Sequence, residues 1–177
     1  MDETGLVDDG LPEMENILNL AEVGRMALLD GTMPYIIPLN FLYKDGKIIF
    51  HCAWEGKKLD IISMNPNCCF EVDKYMGEVS YHHESRCHLD YDSVLAFGHA
   101  RIEDNDETKV QLLQLFSEKY NELYKKPVSE GGKRFTLERA NECCCIIIDV
   151  SEFTGRREAT VGGKRKKTKW YKKLKKD

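Results

Sequence analysis

Long apolar runs are absent from this chain of 177 residues. No stretch approaches the roughly 20 consecutive apolar residues that a membrane-spanning helix needs. Met1–Gly10 is acidic, whereas a secretory signal peptide has basic residues followed by an apolar run. The G-x-G-x-x-G pattern of dinucleotide-binding folds is also missing. Together with the length, these absences predict a single cytoplasmic domain without a classical nicotinamide-binding motif.

Cysteine is present, but its arrangement suits neither disulfides nor a metal. The seven cysteines are odd in number and mostly adjacent within apparent strands, where neighbouring side chains point to opposite faces. The paired C-x-x-C spacing of zinc sites is absent. We therefore interpret them as small apolar residues in a reducing compartment. They are Cys52, Cys68, Cys69, Cys87, Cys143, Cys144 and Cys145.

A denser polar cluster contains His82, His83, Cys87 and His88. Zinc needs about four convergent ligands, and these residues lie in one predicted loop without a second pair elsewhere. No metal site is therefore predicted. The loop is better interpreted as the mouth of a substrate pocket, with His82 or His83 as a donor.

The net charge of −4 conceals two regions of opposite sign. From Gly155 onward, eleven lysines and arginines accompany two acidic residues, a net charge of +9, so the preceding residues carry −13. We predict a globular domain over residues 1–154 and a basic, partly mobile tail over 155–177. The tail suits nucleic acid or an anionic membrane surface, but it also suits the acidic body of its own dimer, or no specific partner.

Short strands with helices in their connections predict a mainly β protein, an antiparallel barrel with appended helices. Helices are predicted over Leu11–Val23, Gly56–Met64 and Asp106–Lys125, with a helical turn at Phe135–Asn141. Strands are predicted over Gly24–Leu29, Ile36–Tyr43, Lys47–Cys52, Cys68–Tyr75, Tyr91–Glu103 and Cys143–Val150. His82–Asp90 is predicted as a connection.

The segment Pro34–Asp60 carries the strongest local signal. Two apolar strands flank Asp45-Gly46, which is typical of a hairpin turn. Gly56, Lys57 and Lys58 then open a predicted helix, where free backbone N–H groups and the helix dipole also favour an anion. The sequence therefore predicts a phosphate site at the edge of a sheet. On composition alone, two lysines at a solvated helix start remain an ordinary alternative.

These residues resemble a known family, the pyridoxamine-5′-phosphate-oxidase-like split barrels that bind FMN, and above all their nitroimidazole-resistance (Nim-type) branch. The resemblance spans about Met14 to Arg157 and implies a Greek-key split barrel of about six strands. The matching stretches are His51-Cys52-Ala53, Gly56–Asp60, Asn65-Pro66, Tyr91–Val94 with Gly98–Ala100, and Phe153–Arg157.

The resemblance implies where a flavin would contact the chain. Lys57 and Lys58 would hold its phosphate, and Ser93 would face the phosphate or the ribityl chain. The strand residues Ile37, Pro38, Leu39 and Asn40 would lie along the ring system. Pro38 removes a backbone donor, which favours an edge strand or a bulge there. An inert serine and an ordinary core strand are the alternatives.

His51, Cys52, Ala53 and Gly56 complete the cofactor contacts that the resemblance implies. His51 would lie near the flavin ring and donate a proton during reduction of a substrate. A strand histidine satisfied by a neighbour is the alternative. Trp54 either stacks beside the cofactor or covers the barrel mouth.

The resulting hypothesis is a homodimeric FMN oxidoreductase with the cofactor at the subunit interface. Electrons would pass from a transiently bound NAD(P)H, or a similar donor, to a small acceptor such as a nitro-aromatic compound. The C-terminal Arg and Trp features of true pyridoxamine-phosphate oxidases are not matched, so that activity is not expected. The alternatives are a non-catalytic store of flavin, deazaflavin or haem, and a nucleic-acid-associated protein acting through the tail.

Overall fold

The computed structural model describes residues 6–7, 10–81, 87–125, 135–162 and 164–174. Its helices are α1 (Leu11–Leu20), α2 (Lys57–Met64), α3 (Asp106–Leu123) and α4 (Leu137–Ala140). Its strands are β1 (Leu6–Val7), β2 (Val23–Asp30), β3 (Met33–Asn40), β4 (Leu42–Lys44), β5 (Lys47–Cys52), β6 (Asn67–Tyr81), β7 (Cys87–Ile102), β8 (Cys144–Val161) and β9 (Lys164–Lys173).

The described strands form one sheet in the order β1-β9-β8-β7-β6-β2-β3, with β5 joined to β8 and β4 joined to β5. All pairs are antiparallel except β1 with β9. Strand β8 closes the structure because Ile146–Asp149 pairs with β5 on one side and with β7 on the other. The predicted class, a mainly antiparallel split barrel with appended helices, is confirmed.

The core fills the barrel with large apolar side chains. Phe41, Phe50, Phe70 and Phe153 are completely buried, and the rings of Phe41 and Phe70 meet edge to face at 4.8 Å. Helix α1 contributes its buried face, as its 3.6-residue periodicity predicts. Full burial of such side chains stabilises the fold by about 1.5–3 kcal/mol each.

A smaller apolar cluster lies on the opposite face of the barrel wall. It contains Leu42, Ile49, Cys145 and Ile147, with residues of α3 packed against them. The first half of β8 is therefore buried on both faces, which accounts for its continuous apolar run. Helix α3 begins at its cap Asn105, whose side chain accepts a hydrogen bond from the Thr108 N–H at 2.8 Å.

The edge-strand prediction for Pro38 is confirmed, because β3 ends the sheet. The pairing of β7 with β8 has a register shift at Phe97 and Gly98. A Cβ atom at Gly98 would lie 2.3 Å from the backbone oxygen of Asp149. The close approach of two backbones therefore requires glycine at this position.

The structure differs from the sequence prediction in the number and extent of strands. The described residues form nine strands where about six were predicted. The predicted strand Ile36–Tyr43 is divided between β3 and β4, because Phe41 turns into the core between them. Cys87–Asp90, predicted as part of a connection, belongs to β7. His82 and His83 lie outside the described residues.

The largest difference concerns the predicted basic tail. Strand β8 continues across the predicted boundary at residue 154 as far as Val161. Lys164–Lys173 then forms β9, paired with β8 along its whole length. Trp170 fixes this strand because its side chain is buried, and a Cβ atom at Gly10 would come within 2.0 Å of it.

None of the described helices is long and apolar enough to cross a bilayer.

Candidate functional site

The N-terminus of α2 lies beside the turn between β2 and β3. Gly56 precedes the helix with a φ of 132°, a conformation that side chains other than glycine rarely adopt. The Nζ atom of Lys57 lies 2.7 Å from a carboxylate oxygen of Asp30 and 5.3 Å from the ring centre of Tyr35. The predicted helix start is confirmed, and it places an exposed ammonium group at the sheet edge.

Lys58 lies on the other side of the helix start, near Cys52. Burial raises the pKa of the Cys52 thiol, and the positive charge of Lys58 opposes that rise. Cys52 pairs across the strands with Cys144, and burial raises the pKa of Cys144 to about 12. Both thiols are therefore protonated at neutral pH. Ala53, predicted as a cofactor contact, follows the end of β5 and is exposed.

Strand β3 presents the four predicted ring contacts on two different faces. Ile37 and Leu39 pack against the core, whereas Pro38 and Asn40 are exposed. The Asn40 side chain donates to the backbone oxygen of Glu22 at 3.1 Å. Because β3 has only β2 as a described neighbour, its outer backbone edge offers hydrogen-bonding groups to a ligand.

Ser93 lies on β7, in a cavity of about 360 Å³ on the outer face of the sheet. We call this the sheet cavity, and its lining residues are Ser93, Leu95, Thr154, Gly155, Arg156, Lys169, Trp170 and Tyr171. Ser93 is directly opposite Arg156, which is directly opposite Lys169. Side chains directly opposite in a sheet share a face, so the register brings one hydroxyl and two cations together.

Positive charge is concentrated around the sheet cavity. Glu158 is buried on the same face and forms ion pairs with Arg156 and Arg165. Lys167 lies 3.9 Å from the same carboxylate, and the nearby arginines and Lys169 lower its pKa. One carboxylate thus faces three cations, and Lys169 adds a fourth positive charge nearby, so this face of the sheet favours an additional anion.

The structure does not bring Lys57 and Ser93 together within one chain. Asp30, which forms the ion pair with Lys57, lies at one end of the sheet. Measured along the strands, it is at the same height as Ala100. Ser93 is seven residues from Ala100 along β7, a separation of about 20 Å at roughly 3.3 Å per residue. A single phosphate therefore cannot contact both side chains of one chain.

His51 lies apart from both lysines. Its side chain is on the face of β5 opposite to that of Cys52, and its ring meets Phe116 of α3 edge to face at 4.7 Å. Burial of the ring lowers the pKa of His51 below its ordinary value of 6.5, so the imidazole is neutral at pH 7.

His51 lines a second cavity, of about 540 Å³, between the barrel and helices α3 and α4. We call this the helix cavity, and its lining residues are His51, Leu113, Phe116, Ser117, Phe135, Arg139, Glu142 and Cys143. Trp54 lies beside it, where its Nε1 donates to the backbone oxygen of Asn141 at 2.9 Å. The described residues contain no group of three or more potential metal ligands.

The sequence profile of the pyridoxamine 5′-phosphate oxidase family matches residues 12–157. The chain belongs to this family. Its match covers every stretch on which the resemblance was based, including Phe153–Arg157, whose Arg156 lines the sheet cavity. A comparison with curated protein sequences gives no match.

Solved structures of similar fold include members of the Nim-type branch. A protein from Bacteroides thetaiotaomicron assigned to 5-nitroimidazole antibiotic resistance has 20% identity and a TM-score of 0.70, with 85% of each chain covered. A NimC/NimA family protein from Clostridium acetobutylicum has 14% identity and a TM-score of 0.51, with 90% of this chain and 92% of the other covered.

A third similar structure is that of a FAD- and haem-binding protein from Mycobacterium smegmatis. It has 13% identity and a TM-score of 0.69, with 90% of this chain and 81% of the other covered. At these identities the likeness shows the fold.

Several residues of this family member were not among the predicted site residues. Lys169 and Tyr171 were placed in a tail rather than in a cavity, because a lysine-rich strand has no apolar alternation. Arg139 and Cys143 were not singled out as ligand-contacting residues. The T-G-R-R stretch that includes Arg156 was the one signal in the sequence that pointed to the sheet cavity.

Proposed function

We propose that the chain binds a flavin nucleotide, FMN, at the interface of a homodimer. The observation that carries the proposal is the position of Lys57 and Lys58 at the start of α2, beside the open edge of β3. Backbone N–H groups and two ammonium groups there suit a phosphate, while the edge strand suits the polar rim of a ring. Family membership and the flavin-binding proteins among the similar structures support this choice.

The local chemistry fits a phosphate group. The ion pair of Lys57 with Asp30 is exposed, with 58% of the lysine side chain accessible, so an incoming anion exchanges it at little cost. Lys58 is half-buried and has no ion pair among the described residues. A bound flavin supplies hydride and single-electron chemistry, and these residues contribute binding and orientation.

A dimer accounts for the separation of the two cationic groups. Because Lys57 and Ser93 lie about 20 Å apart along the sheet, both can serve one flavin only if they come from different chains. Leu29, Ile36 and Phe97 share the outer face of the sheet by register, and they are 45%, 63% and 37% exposed. An apolar surface of this kind is typical of an interface.

The second chain would then add Ser93, Arg156 and Lys169 to the site formed by Lys57, Lys58 and β3. In this proposal Ile37 and Leu39 support the strand from the core, and Pro38 and Asn40 face the ligand side. The remaining proposed contacts lie between the end of β5 and the start of α2, and they are Cys52, Ala53 and Gly56. The role of His51 as a proton donor stays a prediction, because its side chain faces the helix cavity.

As the activity, we propose electron transfer from NAD(P)H or a similar donor to a small acceptor such as a nitro-aromatic compound. The similarity to nitroimidazole-resistance proteins supports this acceptor class. A flavin store would bind the same cofactor without turnover. Anaerobic mixing with NADH or NADPH separates the two: bleaching of the flavin band, and its return on adding a nitroimidazole, supports the enzyme.

The first experiment is the visible spectrum of the purified protein, alone and with added FMN or FAD. Lys57→Ala combined with Lys58→Ala should weaken FMN binding by at least about tenfold, because charge-assisted phosphate contacts are lost. Lys44→Ala is the matched control, since Lys44 is also exposed and lies 3.7 Å from an aspartate. A colourless protein that binds neither flavin would overturn the proposal.

Complementation tests the shared interface. The Lys57→Ala/Lys58→Ala chain and an Arg156→Gln chain should each bind FMN poorly. After unfolding and refolding together, random pairing in a two-fold dimer restores about a quarter of the sites. If the mixture binds no more FMN than its components do, a site shared between two chains is ruled out.

A further inference from the structure

The helix cavity lies apart from the two groups of residues proposed to hold the flavin phosphate, Lys57 with Lys58 and Ser93 with Arg156. It begins at Cys143, just before β8, whereas Arg156 of the sheet cavity lies thirteen residues further on. At roughly 3.3 Å per residue this is about 40 Å along the strand. His51 and Lys58 are separated by β5, since Lys58 contacts Cys52 on the opposite face.

The inner part of the helix cavity is aromatic and aliphatic. Leu113 and Phe116 come from α3, and Phe135 lies across from them before α4. The Phe135 N–H donates a hydrogen bond to Gln114 Oε1 at 3.4 Å, which connects this segment to α3. Two phenyl rings and the edge-to-face imidazole of His51 form walls that suit a flat aromatic ring. A volume of about 540 Å³ is within the usual range for small-molecule sites.

The rim of the cavity carries the guanidinium group of Arg139. Arg139 is exposed and makes no ion pair with any carboxylate among the described residues. Its planar guanidinium can bind a carboxylate with two hydrogen bonds. Glu142 lies at the same rim and bears a negative charge, so a ligand carboxylate must lie on the Arg139 side. Neutral His51 and the Ser117 hydroxyl are further hydrogen-bond donors.

We propose that the helix cavity binds a planar aromatic carboxylate of two fused rings. The rings lie between Phe116 and Phe135, and the carboxylate contacts Arg139. His51 donates a hydrogen bond from the wall formed by β5. This site is separate from the proposed flavin site and does not depend on it.

The probe is 2-naphthoate, compared with 2-naphthalenemethanol, which has the same rings and no charge. Binding is measured by calorimetry and by quenching of Trp54 fluorescence, because Trp54 is fixed to Asn141, next to the rim residue Glu142. The chain has one other tryptophan, Trp170, in the wall of the sheet cavity. The titration is run on flavin-free protein and repeated with FMN present.

Arg139→Gln should weaken naphthoate binding by about tenfold and change the affinity for the alcohol by less than about twofold, because only the carboxylate uses the guanidinium. Lys169→Gln, which removes one cation from the sheet cavity, is the matched control and should change neither. Phe116→Leu should weaken both ligands. Arg139 is exposed, so its replacement leaves folding intact.

Two results would overturn the proposal. One is the absence of any heat or fluorescence change with millimolar naphthoate. The other is an equal loss of affinity in Arg139→Gln and Lys169→Gln, which would place the ligand elsewhere. A protein that binds naphthoate but no flavin would support this proposal and reject the flavin site, so the two outcomes are distinguishable.

Discussion

The sheet cavity and the helix cavity are built by different kinds of interaction. In the sheet cavity, Ser93, Arg156 and Lys169 are aligned by the hydrogen-bonded register of three strands. In the helix cavity, His51 and Phe116 meet because α3 packs its apolar face on the barrel wall. Strand pairing therefore determines which side chains meet in the sheet cavity. Side-chain packing determines which side chains meet in the helix cavity. Each can be disrupted without the other.

The largest effect is expected from replacing Trp170, which lines the sheet cavity. It is 4% exposed, and the Arg157 guanidinium lies 5.2 Å from its ring centre. Trp170→Ala should lower the free energy of unfolding by about 3–5 kcal/mol, because it leaves a large buried void. Trp54→Ala, at an exposed tryptophan beside the helix cavity, should cost less than about 1 kcal/mol. Urea denaturation measures both, and equal losses would contradict the assignment of Trp170 to the core.

The next effect concerns the lysine that fixes α3 to the barrel. Lys119 donates to the backbone oxygens of Ala21 and Phe41, both at 2.9 Å, and burial lowers its pKa from 10.5 to about 8. Between pH 8 and 10.5 the unfolded chain binds more protons than the folded chain, so the free energy of unfolding should rise with pH in this range. The rise should amount to about 1–3 kcal/mol.

Lys119→Met should remove this contribution to the pH dependence, and Lys44→Met, at an exposed lysine, should keep it. Denaturation at pH 7, 9 and 10.5 measures the difference. If the free energy of unfolding changes with pH by the same amount in the wild type and in Lys119→Met, the protonation of Lys119 is not coupled to folding.

A smaller effect is expected from replacing Phe116, which lines the helix cavity. Phe116 is partly buried, so Phe116→Ala should cost about 1–2 kcal/mol. Its loss also removes the ring that covers part of the His51 imidazole, and since burial lowers the pKa of His51, that pKa should rise toward 6.5. Titration of the imidazole by NMR measures this change. Leu95→Ala in the sheet cavity is the control, and an equal response to both variants would contradict the independence of the two cavities.

The smallest effect is expected at Lys57. Its pair with Asp30 is exposed, so Lys57→Ala should leave the midpoint of urea unfolding almost unchanged. A double-mutant cycle with Asp30→Ala measures the pair. A coupling larger than that of the exposed pair between Lys44 and Asp45 would show that Lys57 is a structural residue, and its loss would then weaken flavin binding indirectly.

Elements with a strong local signal were predicted correctly from the sequence. The turn at Asp45-Gly46 joins β4 and β5, and α3 begins at Asp106, where the sequence predicts a helix start. Gly56 immediately precedes α2, where the sequence predicts the start of a helix. In each case a residue type has a short-range preference that tertiary contacts did not override.

Strand β9 was not predicted, because its stability comes from a partner rather than from its own pattern. Lysines occupy both of its faces, and its hydrogen bonds go to β8. The grouping of Ser93 with Lys169 depends on that pairing, so it could not be seen in the sequence. The direction of His51 toward α3 depends likewise on which side of β5 the helix packs, and no local rule decides this.

The closure of the barrel by β8 also has a consequence for folding kinetics. His51 pairs with Cys145, about a hundred residues further along the chain, so the two strands meet only after a long loop has closed. Such high contact order slows folding. We expect the local hairpins to form first and the β5–β8 ladder to form last. Until then the isoleucine-rich first half of β8 is an unpaired edge, and it is the segment most prone to aggregation during synthesis.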